Sequence, residues 1–411
     1  MLSEVHINPD LVPKPKIQLG LRENWKQFTL LVIINGFVGG MLGVERTLIP
    51  NLAKDVFGIQ SFTAILSFIV VFGTVKAFTN LYAGKLATRI GRKNLLVMGW
   101  IAALPVPFML IYAPTWNWII AANIFLGINQ GLCWSTAVMM KIDLVGPKNR
   151  GLAMGLNEFA GYFSLAIIAF LTGYIAAQYG LRPYPFYLGI ILSWVGLLGS
   201  IFFIKDTGVH VQQEALTSHG VQIKNVFLDT TFKNRNLSSV TQAGLVNNLN
   251  DGMMWGLFPM LLKEKGFDFS QIGIIVALYP AVWGISQLFT GMLADRLNRK
   301  TLLFWGMLLQ GIALFAVILS GNFYFYILIS VLLGLGTAMV YPTFLAAVAD
   351  FSHPNQRAQS IGIFRFWRDS GYVFGALLTG LVIDHFSYSF AIFAVAALTA
   401  LSALVILVRM K

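Results

Sequence analysis

Eight ionisable side chains stand within long apolar runs of this 411-residue chain: Glu45, Arg46, Lys76, Glu158, Asp251, Arg365, Arg368 and Asp369. A charge held among apolar residues in a membrane is costly, so each is a candidate for binding, gating or coupling. Four acids face four bases, and pairing could leave the interior nearly neutral. Glu158 is the candidate proton carrier, because a buried carboxyl that exchanges a proton can couple a proton gradient to solute movement. Asn247, Asp251 and Trp255 recur at i, i+4 and i+8 and so share one helical face. Amide, carboxylate and indole in one stripe suit a small polar ligand or ion; the plainer alternative is hydrogen bonding between helices. Glu45 and Arg46, near the end of their run, are candidates for substrate or ion binding, with a gate as the alternative, since Arg46 can reach the interface. Trp134 and Tyr341 offer aromatic walls, although packing is the commoner role of such residues.

The elements that must position these groups are membrane helices. With 57% hydrophobic and 11% charged residues, the chain carries more apolar surface than a water-soluble domain of its length could hide. Its mean hydropathy of +0.72 agrees. Runs long enough to cross about 30 Å of hydrocarbon as helices are read at 28–50, 62–84, 95–113, 118–140, 151–178, 185–204, 237–262, 270–292, 302–320, 323–348, 360–384 and 386–408. Continuous apolar runs, without dyad alternation, exclude a membrane barrel.

One unit occurs twice. Gly84-Lys-Leu-Ala-Thr-Arg-Ile-Gly-Arg-Lys-Asn-Leu95 returns 207 positions later as Gly291-Met-Leu-Ala-Asp-Arg-Leu-Asn-Arg-Lys-Thr-Leu302. The same offset relates Pro147 and Arg150 to Pro354 and Arg357, Gly127 to Gly334, Thr136 to Thr343, and Thr172-Gly173 to Thr379-Gly380. Two homologous halves that pack on each other produce such a pattern. It also pairs Trp134 with Tyr341 and sets Glu158 opposite Arg365. Depth links Lys76 and Asp369, each nine residues from the inner end of its run (Lys85 and Ser360), or about 14 Å. Either Lys76 bridges to Asp369 across the halves, or Asp369 pairs with Arg365 at i−4 while Lys76 snorkels.

The net charge of +12 reports topology, not a nucleic-acid partner. Most basic residues fall in segments on one side of the twelve runs, and only Lys54, Arg182, Lys263 and Lys265 fall on the other. The positive-inside bias sets both termini in the cytoplasm. Residues 1–27 read as a cytoplasmic tail and not a cleavable signal. Residues 28–204 form the first six-helix bundle, 205–236 a cytoplasmic linker, 237–408 the second bundle, and 409–411 the cytoplasmic C-terminus. Cys133 stands alone, so no disulfide framework exists. No phosphate-binding loop, metal-ligand cluster or large soluble domain appears, which excludes ATP drive within this chain, a metal or other cofactor, and enzymatic catalysis.

The repeated loop is similar to the signature between spans 2 and 3, and between spans 8 and 9, of the major facilitator superfamily. The resemblance covers essentially the whole chain. It implies an all-α membrane protein of twelve transmembrane helices in two pseudo-symmetric six-helix bundles. It implies that spans 1, 4, 7 and 10 line a cavity, with span 2 packed on 11 and span 5 on 8. Gly84 and Gly291 then allow close helix approach, and Gly91 and Asn298 are expected in the left-handed turn conformation. Arg89, Arg92, Arg296 and Arg299 are expected to serve helix C-terminal carbonyls and lipid phosphate. In the family, the acid at the fifth position of the loop latches the halves together. Asp295 keeps it, whereas Thr88 replaces it in the first copy. Proton-coupled drug exporters of the superfamily often carry an arginine where this chain has Asn123, and a proline pattern in span 5 that is missing here.

Function follows as expectation: a monomeric secondary active transporter in the cell (inner) membrane, moving a small solute by alternating access with a proton as coupling ion. Lys76, Glu158, Arg365, Arg368 and Asp369 are its coupling or gating candidates. The basic residues suggest an organic anion or metabolite; the acids suggest a cationic drug and efflux. A reading from another class is a transport-dead relative acting as sensor or assembly partner, motivated by Thr88.

Overall fold

A computed structural model of the chain describes residues 17–46, 48–59, 62–217, 222–267, 269–319, 321–385 and 387–411. The side chains of Arg46 and Trp255 lie outside what is described. Among the described residues the regular structure is helical throughout, with no strand. The first half comprises α1 (Trp25–Arg46), the short α2 (Ile49–Asp55), α3 (Phe62–Ile90), α4 (Arg92–Ala103), α5 (Pro105–Tyr112), α6 (Trp116–Val145), α7 (Arg150–Tyr179) and α8 (Tyr187–Phe202). After α9 (Gly208–Thr217) and α10 (Val226–Leu228), the second half runs through α11 (Arg235–Glu264), α12 (Phe269–Arg296), α13 (Arg299–Ile318), α14 (Phe323–Asp350), α15 (Pro354–His385) and α16 (Tyr388–Arg409).

Twelve spans result once α4 and α5 are counted as one. Pro105 lacks the N–H that would continue the helix, so the run breaks at Leu104. The repeat is structural as well as sequential: α3 and α12, α4 and α13, and α6 and α14 begin 207 residues apart. Eight helices among the described residues are long and apolar enough to cross a membrane by composition. Of the other long helices, α6, α11 and α15 reach 30, 30 and 32 residues but carry amides and charges. Those polar side chains are buried against one another.

The halves meet along two seams, α3 on α15 and α7 on α12. Each seam extends into a wall of four helices. One wall is α6–α3–α15–α11, and it holds most of the buried charge; the other is α1–α7–α12–α14. Helices α4, α5 and α8 back the first half, and α13 and α16 the second. Their outer faces present large apolar residues, among them Trp194, Phe202, Trp305, Phe315 and Leu404, as lipid-facing helices require.

Glycine sets how closely the seams approach at the end of the bundle that carries the repeated basic loops, hereafter the basic end. A Cβ on Gly84 would run into the carbonyl oxygen of Ala358, and one on Gly291 would lie 2.6 Å from that of Gly151. Gly91 has φ +86° and caps α4, as expected of a left-handed turn residue. The matching expectation for Asn298 is corrected. Its φ is −63°, and it caps α13 by accepting from Lys300 N at 2.8 Å. An amide side chain can close the turn by capping, where glycine can only bend.

Replacing Gly84 by Val should force the basic ends of the halves apart. Overpacking of this kind costs about 1–3 kcal/mol, or roughly tenfold in the population of the opened form. A cysteine at Ala294, which is 1% exposed in the seam, should then react with maleimide about tenfold faster than in the parent.

Candidate functional site

The charged wall converges on one carboxylate. Asp369 of α15 is 1% exposed, and its Oδ2 lies 3.6 Å from Lys76 Nζ of α3. The same oxygen accepts from Asn80 Nδ2 at 2.6 Å. Its Oδ1 accepts from Arg368 Nε and a terminal nitrogen, both at 3.1 Å, and from Asn248 Nδ2 of α11 at 3.5 Å. Asn80 in turn accepts from Ser135 of α6. Of the two pairings open to Asp369 from sequence, the structure has the one across the halves. Its neighbour on its own helix is Arg368, one residue away, and not Arg365 at i−4.

Glu158 sits deeper in the first half. Its Oε1 accepts from Trp134 Nε1 at 3.1 Å and Asn157 Nδ2 at 2.7 Å, while Oε2 has no partner among the described residues. Asn157 also accepts from Lys141 Nζ at 2.6 Å. The apolar run predicts a span that ends at 140 and leaves Lys141 in the loop. Helix α6 continues to Val145, and Lys141 is fully buried. Arg365 is likewise buried, within the electrostatic reach of Glu158, Arg368 and Asp369.

The stripe on α11 divides. Asn247 and Asp251 are both buried, but Asp251 Oδ1 accepts from Tyr279 OH, which also meets Thr337 at 3.3 Å. Its neighbour Asn248 accepts from Tyr341 OH at 3.1 Å. Glu45 is buried at the end of α1. Trp134 and Tyr341 belong to a run of rings completed by Tyr162 and Trp283. Ring centroids are 5.5 Å apart for Trp134–Tyr162, 4.4 Å for Tyr162–Trp283 and 4.7 Å for Trp283–Tyr341. The repeat holds the missed signal: it pairs Tyr162 with Asp369, and Trp283 with Lys76.

At the basic end the repeat builds two charge relays. Arg92 and Arg357 flank Asp143 at 3.2 and 3.8 Å; Arg299 and Arg150 flank Asp350 at 2.9 and 2.6 Å. In each, one arginine comes from the acid's own half and the other from the opposite half. Asp295 ties the seam further, accepting from Gly151 N at 2.7 Å and Leu152 N at 2.8 Å at the start of α7. There the helix N-terminus favours a negative charge. Thr88 holds the equivalent position and only donates to Lys85 O of its own helix, at 2.8 Å. A different acid serves this side. Glu214 of α9 accepts from Arg357 at 2.5 and 2.8 Å and from Arg150 at 2.5 Å. Arg92 and Lys93 also serve carbonyls, Ala87 O at 3.2 Å and Ile201 O at 2.7 Å. Arg89 and Arg296 stand exposed at the rim.

Among the described residues, a central pair thus spans the two halves and charged clamps join them at the basic end. The family model described as Major Facilitator Superfamily matches residues 28–239 and 240–411. A protein of Staphylococcus saprophyticus described as "Proton-coupled antiporter flippase LtaA" is 25% identical over 373 residues, 87% of this chain and 88% of its own. The quinolone resistance protein NorA of Staphylococcus aureus is 29% identical over 136 residues, 33% of this chain and 35% of its own. Among solved structures, the human organic anion transporter MFSD10 (TETRAN) superposes with a TM-score of 0.75 at 16% identity, over 93% of this chain and 99% of its own. The proton:xylose symporter XylE, bound to 6-bromo-6-deoxy-D-glucose, gives 0.72 at 14% identity, over 93% and 95%. At those identities the two structures share the fold.

Burial by itself would raise the proton affinity of Glu214, but hydrogen bonds and charge from Arg357 and Arg150 outweigh it and hold the carboxyl below its ordinary value of 4.5. A depressed folded-state value means the clamp is fully present above that range and is lost as pH falls through the lowered one. Glu214→Gln should therefore destabilise the protein by about 3 kcal/mol at pH 7, as expected when a buried pair loses one partner. The gap to wild type in thermal unfolding should narrow only below pH 4.5.

Proposed function

We propose that this chain, which belongs to the major facilitator superfamily, is a proton-coupled secondary active transporter of a small solute, seen here closed at its cytoplasmic side. The observation that carries the reading is the Lys76–Asp369 pair, 3.6 Å apart and buried between two pseudo-symmetric halves. A buried ion pair across the seam can part and re-form as the halves rock. The positive-inside bias places the basic end in the cytoplasm. The clamps of Asp143, Asp295, Asp350 and Glu214 then shut the cytoplasmic route, and breaking them opens it.

Glu158 is the proton site. One oxygen is fixed by Trp134 and Asn157, and the other has no partner among the described residues, leaving it to hold or release a proton. Lys141, reaching Asn157, lies within its field and balances the deprotonated form. Lys76, Arg365, Arg368 and Asp369 complete the same electrostatic cluster, so protonation of Glu158 alters the balance at the seam. The description of the Staphylococcus saprophyticus relative as a proton-coupled antiporter supports this coupling. The alternative of an inert sensor loses its motivation, because Glu214 supplies a clamp where Thr88 cannot.

Proteoliposomes loaded with a pH-reporting dye test the reading. Among organic anions and lipophilic cations, at least one class should move protons when added outside wild-type vesicles. Glu158→Gln should abolish that movement to the level of empty vesicles. Proton movement that persists in the variant removes Glu158 from the role.

A further inference from the structure

The two seams are equivalent under the repeat, yet they carry opposite chemistry. Where α3 meets α15, an ammonium faces a carboxylate, Lys76 to Asp369. At the equivalent place where α12 meets α7, an indole faces a phenol ring, Trp283 to Tyr162. Trp134 lies between the two, with Lys76 Nζ 5.8 Å from its ring and Tyr162 5.5 Å away. Tyr341 links them again, touching Trp283 at 4.7 Å and carrying the Arg368 guanidinium 5.1 Å from its ring. The middle of the molecule is therefore charged along one side and aromatic along the other.

The charged side is not balanced. Lys76, Lys141, Arg365 and Arg368 stand with Glu158 and Asp369 in one electrostatic cluster, which Arg368 extends to Asp251. Adding Asp251, which Tyr279 already engages, still leaves four cations against three carboxylates. The excess has an address. Lys76 pairs with Asp369, Lys141 donates to Asn157, and Arg368 donates twice to Asp369. Arg365 is 0% exposed, and its Nε and both terminal nitrogens have no hydrogen-bond partner among the described residues. A buried charged donor without an acceptor is strongly unfavourable. Its planar fork matches a carboxylate, sulfonate or phosphate.

We propose that Arg365 receives the anionic group of an amphipathic organic anion, whose apolar portion lies against Tyr162, Trp283 and Tyr341. The proposal rests on the transporter reading and names its substrate class. A free organic anion and an anionic lipid headgroup share this chemistry.

Thermal unfolding of the detergent-purified protein at neutral pH separates the cases. The probes are 2-naphthoate, 2-naphthyl phosphate, dihexanoyl phosphatidic acid, acetate, 2-naphthylmethanol and 2-naphthylmethylammonium. An amphipathic anion should raise Tm by about 2 °C or more through mass action, and acetate, the alcohol and the ammonium should not. A shift with the naphthyl anions assigns a free solute; a shift with the phosphatidic acid alone assigns a lipid. Arg365→Gln should abolish the shift, and Arg365→Lys, which keeps the charge without the fork, should retain part of it. Should Arg365→Gln fail to fold, the ranking on wild-type protein still decides. The proposal is overturned if no amphipathic anion shifts Tm, if the ammonium does so in their place, or if the shift is unchanged in Arg365→Gln. An ammonium that stabilises the protein and also drives proton movement in vesicles would leave the transporter reading standing while removing the anion.

Discussion

A carboxylate in a membrane interior must be compensated wherever it goes, and Asp369 is the carboxylate on which this structure turns. It is held from three helices at once: by Lys76 and Asn80 of α3, Arg368 of α15 and Asn248 of α11. Through Asn80 and Ser135 the chain of contacts reaches α6, so the whole charged wall is joined through one side chain. Arg368 has a particular place in this. It sits on the same helix as Asp369 and moves with it, so the acid keeps a counter-charge when Lys76 is drawn away. Without such a partner, parting the seam would strand a buried charge, at a cost of several kcal/mol.

The basic end works by the same rule nearer to water. Each relay puts one acid between an arginine of its own half and one of the other, so each acid keeps a partner when the halves separate. Asp295 adds two bonds across the other seam, from the backbone N–H groups of Gly151 and Leu152. On the opposite side Thr88 cannot do this, and Glu214 of the connecting segment engages an arginine from each half. The connection between the halves is thus bonded to both of them through this one carboxylate.

Much of this architecture is legible in the sequence. The repeat predicts two six-helix halves, and depth alone brings Lys76 level with Asp369. Other features are lost for physical reasons. Lys141 looks like a loop residue because a lysine near the end of an apolar run normally marks the water boundary; here α6 continues, and Asn157 satisfies it. Asn298 looks like a partner of Gly91 because both fit tight turns, yet capping lets an amide reach the same end by another backbone path. Tyr162 and Trp283 are hidden because an aromatic ring within an apolar run ordinarily serves packing. Glu214 is hidden because a carboxylate in a polar connection is ordinarily solvated, and only the tertiary fold brings it to Arg150 and Arg357.

The claim that the halves are joined by a compensated charge is tested most directly by a double-mutant cycle on stability, using Lys76→Met, Asp369→Asn and the pair together in chemical unfolding of the purified protein. Lys76→Met should cost only about 1–2 kcal/mol, because Arg368 still pairs Asp369, whereas Asp369→Asn should cost about 3–5 kcal/mol, because it leaves Lys76 and Arg368 buried without their carboxylate. The double variant should cost less than their sum by about 1 kcal/mol or more. Costs that simply add would mean that Lys76 and Asp369 act independently, and that something other than this pair holds the halves together.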